Sequence, residues 1–127
     1  MLDRASRSGT LITVIDDDES VRESLPALLD VLGFDTEAFT SAEEFLASNC
    51  LANTRCLILD LMLPGLSGPD LQRELIRQGH APPTIFITAL SEHSIPADLL
   101  QQGAVECLFK PFSEQDLREA LDAALVR

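Results

Sequence analysis

Positive charge is scarce in this chain: 9 Lys and Arg stand against 21 Asp and Glu, a formal net charge of −12 over 127 residues. Most of such a surface repels phosphate backbones and anionic membranes, which argues against direct nucleic-acid contact. Long apolar runs are missing too. None approaches the roughly 20 residues that span a bilayer, and "MLDRASRSGT" (1–10) lacks the apolar centre of a secretion signal. A cytoplasmic protein with no membrane partner is expected. Cysteine is sparse and odd in number. Cys50, Cys56 and Cys107 fit neither a paired zinc spacing nor a disulfide framework, which leaves them as small reduced core or loop residues. His80 and His93 have no spacing to the acids that would mark them as metal ligands or phosphodonors. Repeats, low-complexity tracts and internal linkers are also absent, and the length suits one domain with a single good core.

What the chain does have is an alternation of short apolar runs with longer helical patterns. "LITVI" (11–15), "CLILDL" (56–61), "TIFITA" (84–89) and "ECLF" (106–109) show no polar alternation, as expected of strands covered on both faces. "DTEAF" (35–39) is a weaker strand candidate. Between the runs, Ser20 with Glu23 forms a capping-box pattern, and Val21, Leu25, Leu28, Leu29 and Leu32 share a helical face that Gly33 ends. Pro26 inside that segment predicts a bend or an irregular start. Ser41 with Glu44 opens a second helix, Pro69 fits the first turn of a third, Pro96 that of a fourth, and Ser113 with Asp116 opens a fifth, whose apolar face is Leu117, Leu121, Ala124 and Leu125. Five strand–helix repeats predict an α/β, doubly wound parallel sheet with helices on both faces and right-handed crossovers.

In open sheets of this class, sites form outside the carboxyl ends of the strands, near the point where strand order reverses. Asp16 and Asp17 follow the first run, Asp60 lies near the end of the third, Thr88 closes the fourth run, and Lys110 comes directly after the last. Acids from separate strands therefore converge on one pocket. Carboxylates held that close cannot all stay ionised without a positive partner, and a hard divalent cation is the usual one. Magnesium suits a site with few protein oxygens, because it keeps waters and shares the rest with a phosphate. Lys110 adds a point charge and Thr88 a hydroxyl. Together these groups would orient a phosphoryl group arriving at one nucleophilic carboxylate. For Asp18 and Glu19 an exposed, acidic helix start accounts for the charge.

The residues "VIDDDESVR" (14–22), "LILDLMLPGLSG" (57–68), "ITAL" (87–90) and "GAVECLFKPF" (103–112) resemble the receiver domain of two-component response regulators. "VRESLPALLDVLGF" and "SAEEFL" are most similar to the FixJ-like subgroup. The resemblance implies a CheY-like, flavodoxin-like fold of five strands in the order 2-1-3-4-5 with five helices, residues 10–127 forming the domain and 1–9 an N-terminal tail. It implies Asp60 as phosphoryl acceptor, Mg2+ held by Asp17, Asp60 and the Met62 backbone carbonyl, with Asp16 acting through water, Thr88 as switch residue and Lys110 paired with the phosphoryl oxygens. Pro111 matches the family's Lys-Pro, which typically carries a cis bond. A sensor histidine kinase would be the phosphodonor. The face built by the fourth helix, fifth strand and fifth helix would switch, with a homodimer through that face on phosphorylation as one outcome. The domain is regulatory and not an enzyme.

Three features, at four positions, depart from the family pattern. Cys107 stands three residues before Lys110, where an aromatic ring is usual, so switching would rely on loop movement around Thr88. Leu63 replaces the common Met before Pro-Gly, a swap of similar volume. In the family the side chains at positions 62 and 90 border the path of the hydrolytic water, and neither Met62 nor Leu90 can hold one strongly, so the resemblance implies a slowly hydrolysing phospho-aspartate. Phe109 is expected in core or interface packing, and Leu99 and Leu100 either in the core or on a partner surface. The rivals fit less well. A haloacid-dehalogenase-like phosphohydrolase needs a second acid where Met62 stands, and a flavodoxin-like cofactor binder needs a phosphate loop where Asp16 and Asp17 stand. A receiver-like interaction module working without phosphorylation has only Cys107 in its favour. Were the chain a fragment, a DNA-binding output domain would follow Arg127; were it complete, it would act by protein contact or as a phosphoryl sink.

Overall fold

The apolar runs become strands because neighbouring residues must point to opposite sides, and both sides here can be covered by helices. The computed structural model describes residues 9–89 and 104–125. Its strands are β1 (Leu11–Ile15), β2 (Asp35–Phe39), β3 (Thr54–Asp60), β4 (Thr84–Thr88) and β5 (Ala104–Phe109). They form one sheet in the expected order, β2-β1-β3-β4-β5, with every neighbouring pair parallel. The helices are α1 (Glu19–Val31), α2 (Ala42–Ala47), α3 (Gly68–Arg77) and α4 (Glu114–Leu125), the last being the fifth helix expected from the sequence. The helix predicted to open at Pro96, with Leu90, His93, Leu99 and Leu100, lies outside the described residues.

Alternate strand residues feed two cores. Ile12, Val14, Cys56, Ile58, Ile85 and Ile87 pack with Leu25 and Leu29 of α1 and with Leu117 and Leu121 of α4. Ile15, Leu57, Leu59 and Phe86 pack on the other face with Phe45 of α2 and Leu71 and Leu75 of α3. Each fully buried large side chain contributes about 1.5–3 kcal/mol, well above the roughly 1 kcal/mol of a helix cap. Packing therefore decides which segments hold. The six-residue α2 illustrates this, since so short a helix is unstable alone. It is fixed by the fully buried Phe45, which meets Phe39 edge to face at 5.7 Å between ring centroids.

Local signals were realised with two corrections. Ser41 and Ser113 cap α2 and α4 as expected, and Ser113 and Asp116 bond each other's backbone N–H reciprocally at 3.0 and 3.3 Å. At α1, however, Asp18 is the cap, its carboxylate accepting from both the N–H and the hydroxyl of Ser20, so the helix opens earlier than the Ser20–Glu23 pattern implied. That helix then continues unbroken through Pro26. The second correction concerns "ECLF". Its strand begins at Ala104 and lies at the sheet edge, so although Leu108 and Cys107 pack towards the two cores, Glu106 and Phe109 are left exposed. Among the described residues no helix is long and apolar enough to cross a membrane.

One close approach ties this scaffold to the acids. A Cβ on Gly68, the first residue of α3, would lie 2.4 Å from the backbone oxygen of Asp60 and 3.1 Å from the Phe86 ring. Only glycine lets α3 start against the end of β3. Gly68→Ala should therefore lower the unfolding free energy by about 1–3 kcal/mol, the usual cost of overpacking, as read from urea denaturation. An unchanged midpoint would show that α3 can retreat freely.

Candidate functional site

Parallel register alone assembles the pocket. Ile15 pairs with Leu59, which sets Asp16 beside Asp60 at the ends of β1 and β3. Asp60 pairs with Ile87, so Thr88 comes one residue further along β4. Thr88 pairs with Phe109, and Lys110 follows, its backbone N–H donating to the Thr88 carbonyl at 2.7 Å. Asp16, Asp17 and Asp60 each offer a carboxylate oxygen, and these atoms lie within 4.8 Å of one another. Asp16 is fully buried, Asp60 nearly so and Asp17 exposed. Thr88 is buried at the end of β4.

The charges are arranged unequally. Lys110 Nζ sits 2.9 Å from Asp16 Oδ2 and 3.7 Å from Asp60 Oδ2. Asp16 Oδ1 accepts from the Asp18 N–H at 2.9 Å, so both of its oxygens are engaged. Asp60 Oδ1 accepts from the Met62 N–H at 3.1 Å. Burial pushes the Asp60 carboxyl up from an ordinary 3.8 to about 6, the Met62 N–H pulls it back, and the nearby Asp16 raises it further. Burial works against the Lys110 ammonium, but its bond to Asp16 and the charges of Asp60, Asp16 and Asp18 outweigh that and hold its pKa above the usual value. Asp18, fully exposed, is kept below the usual carboxylate range by the Ser20 hydroxyl and N–H.

These residues fit a hard divalent cation. One ammonium cannot neutralise three clustered carboxylates, and the oxygen donors are of the kind such ions take. Asp17 and Asp60 have oxygens to offer, whereas Asp16 is already held by Lys110 and Asp18. The remaining predicted positions are scattered. Met62 is 61% exposed at the rim, Leu63 is buried, and the Lys110–Pro111 peptide is cis. Cys107 is half-buried against the α2–α3 core, and burial keeps its thiol pKa raised. Phe109 points outward on the edge strand. Cys50 and Cys56 are free thiols, Cys56 within the core. His80 is exposed at the opposite end of the sheet, before β4, in a shallow cavity of about 320 Å³ shared with Arg55.

Sequence reasoning missed Arg22, which reaches back from α1 to donate to the Asp16 carbonyl at 3.0 Å. A cation one turn into the helix that follows an acidic strand end was the available signal. Asp18 is the exposed acidic helix start that was expected, and its backbone N–H in addition orients Asp16.

Residues 12–122 match the response regulator receiver domain family, and the chain belongs to it. It is 43% identical over 117 residues to Nodulation protein W of Bradyrhizobium diazoefficiens, covering 92% of this chain and 52% of that protein. The structure of the response regulator StyR superposes with a TM-score of 0.86 at 39% identity, covering 93% of this chain and 60% of that one. The crystal structure of FixJ-N gives 0.82 at 32% identity, covering 93% and 94%. The subgroup is FixJ-like. The chain spans about half the length of the curated relatives it matches.

The raised Asp60 pKa has a stability consequence of definite sign. The unfolded carboxyl ionises near 3.8 and the folded one near 6, so folding gains nothing from this group at low pH and loses stability as pH rises between those values. Asp60→Asn should therefore be more stable than the parent above pH 6 by on the order of 2–3 kcal/mol, with the difference vanishing below pH 4. Urea midpoints of the metal-free proteins across that range check this. A gap that is constant with pH would show that the carboxyl titrates normally.

Proposed function

We propose that this chain is a phosphorylation-dependent receiver, with Asp60 taking a phosphoryl group from a sensor histidine kinase. The observation that carries the reading is the meeting of Asp16, Asp17, Asp60 and Lys110 from three strand ends. In this reading Asp17, Asp60 and the Met62 backbone carbonyl hold Mg2+, with Asp16 behind them through water. When bound, the ion supplies charge neutralisation to the phosphoryl oxygens. Asp60 provides the attacking oxygen; the bond from donor to phosphorus breaks as an aspartyl phosphate forms. Lys110, held by Asp16, then has a phosphoryl oxygen as a second partner. Thr88, on the strand between Asp60 and Lys110, is the hydroxyl that turns towards the modified site.

The output follows from position. Thr88 and Lys110 are linked by a backbone hydrogen bond at the carboxyl end of β5, so a change at the site is felt where β5 leads into α4. With Cys107 in place of a ring, we assign the switch to the loop after Thr88 and to the face that β5 and α4 share with the predicted helix at Pro96. A homodimer through that face, or an output domain in the half of the relatives' length that this chain does not span, would read it. We place residues 10–127 in the receiver domain, 1–9 in a tail, and the whole in the cytoplasm, in a regulatory and not an enzymatic role. Cys107 favours one alternative, an interaction module that never takes up phosphate.

Incubation with acetyl phosphate and magnesium should add one phosphoryl group by intact mass, and Asp60→Ala should abolish it. No mass gain in the parent would favour the unphosphorylated module. With Met62 at the rim and unable to hold water strongly, the adduct should decay slowly. Met62→Asn should shorten its lifetime several-fold, and an unchanged decay would remove position 62 from the hydrolytic path.

A further inference from the structure

The loop after β3, residues 61–67, carries the backbone next to Asp60; Leu63 and Leu66 seat it on the α2–α3 core, but few hydrogen bonds fix the backbone between them. Leu61 at its start donates to the Ile87 carbonyl at 2.9 Å, and Gly68 beyond its end donates to the Leu61 carbonyl at 3.4 Å. The Met62 N–H turns inward to Asp60, and Ser67 caps α3. Among the described residues, one hydrogen bond joins the stretch 62–67 to a distant element: the Leu66 N–H donates to Glu43 Oε2, across 23 residues of sequence, at 2.9 Å.

The contact is built from both sides. Gly65 has φ +73°, a left-handed conformation that glycine adopts without cost, and a Cβ there would lie 2.7 Å from Glu43 Oε2. Glycine at this position leaves room for the carboxylate to reach the Leu66 amide, where a larger residue would push the end of the Glu43 side chain aside. On the other side, the two neighbouring acids of α2 have divided their work. Glu44 folds back to accept from the Thr40 N–H at 2.9 Å and so completes the helix start, while Glu43 faces the loop. The anchor is firm because Ala42 and Phe45 on either side of these acids are fully buried.

We infer that Glu43 is a positioning residue for the acceptor loop: its carboxylate clamps Leu66 and thereby fixes the Met62 backbone against Asp60. The inference rests on the proposed function, since it makes the clamp a determinant of magnesium affinity. Glu43 touches neither the ion nor a phosphoryl group; it acts through the loop.

The test uses the full chain with magnesium alone as ligand, read by calorimetry, and amide exchange of Leu66 in the metal-free protein. Glu43→Ala should expose the Leu66 amide and weaken magnesium binding by about 10-fold, the low end of what lost supporting contacts cost a metal site. Glu43→Gln keeps an acceptor oxygen at the same reach and should restore both readouts. Gly65→Ala should break the contact from the loop side, and combined with Glu43→Ala it should add little to either single change. Unaltered Leu66 exchange and magnesium affinity in Glu43→Ala would overturn the clamp, as would a fall in thermal midpoint with both readouts untouched. Glu43→Gln restoring Leu66 protection without restoring magnesium affinity would also overturn it, by pointing to the carboxylate's charge. If the parent chain itself takes up no magnesium, the proposed function fails with it, and Leu66 exchange still reports whether the contact exists.

Discussion

The pocket depends on a single ammonium seated between two buried carboxylates. Two unit charges within 4.8 Å repel by roughly 3–4 kcal/mol at an effective dielectric constant of about 20. Lys110, at 2.9 Å from Asp16 and 3.7 Å from Asp60, meets each acid more closely than that limit. It can therefore hold the pair, but it cannot also neutralise Asp17. The strain falls on Asp60, whose carboxyl is pushed up to about 6 first by burial and then by the neighbouring Asp16. In the proposed reading, the same crowding that weakens the bare fold makes the site receptive to a second cation, so that stability and reactivity are opposed at one side chain.

That opposition is sustainable because the backbone around it has little freedom to relax. β1, β3, β4 and β5 deliver their ends in register, with a fully buried apolar residue behind each acid. The Asp18 N–H and the Arg22 guanidinium fix Asp16 from the α1 side. Gly68 seats α3 directly on the Asp60 carbonyl. Each connection is local or lies within the sheet, so spreading the acids apart would require unpairing strands whose side chains form both cores.

Much of this was legible in the sequence because the signals are local. A central strand reads as an unbroken apolar run, and a capping pair such as Ser113 and Asp116 lies within one helical turn. Parallel register then turns the residues after such runs into neighbours without any further information. Other features needed the third dimension. "ECLF" looks as apolar as "LITVI", and only its place at the sheet edge exposes Phe109. Asp18 and Ser20 are equally good caps in isolation, and the chain's path out of Asp16 chose between them. Glu43 lies in an acidic helix start with nothing in its surroundings to mark it, because its partner is a backbone amide 23 residues away.

In the proposed reading, Cys107 redirects the route by which the site reaches a surface. A ring at this position would give a large lever that moves between burial and solvent. A thiol is small, and burial keeps this one protonated as a modest apolar filler against the core that includes Phe86. Its removal from burial would gain or lose little, so it cannot set a steep preference between two arrangements. What does connect the pocket to the edge of the sheet is backbone: Thr88 accepts from the Lys110 N–H, and Lys110 Nζ is held by Asp16. In the proposed reading, a phosphoryl group that draws Lys110 towards itself pulls on that chain directly, and the displacement enters β5 at its carboxyl end. A backbone-coupled switch of this kind would run from a pocket of buried acids to a strand with one neighbour in the sheet, and that is where β5 lies.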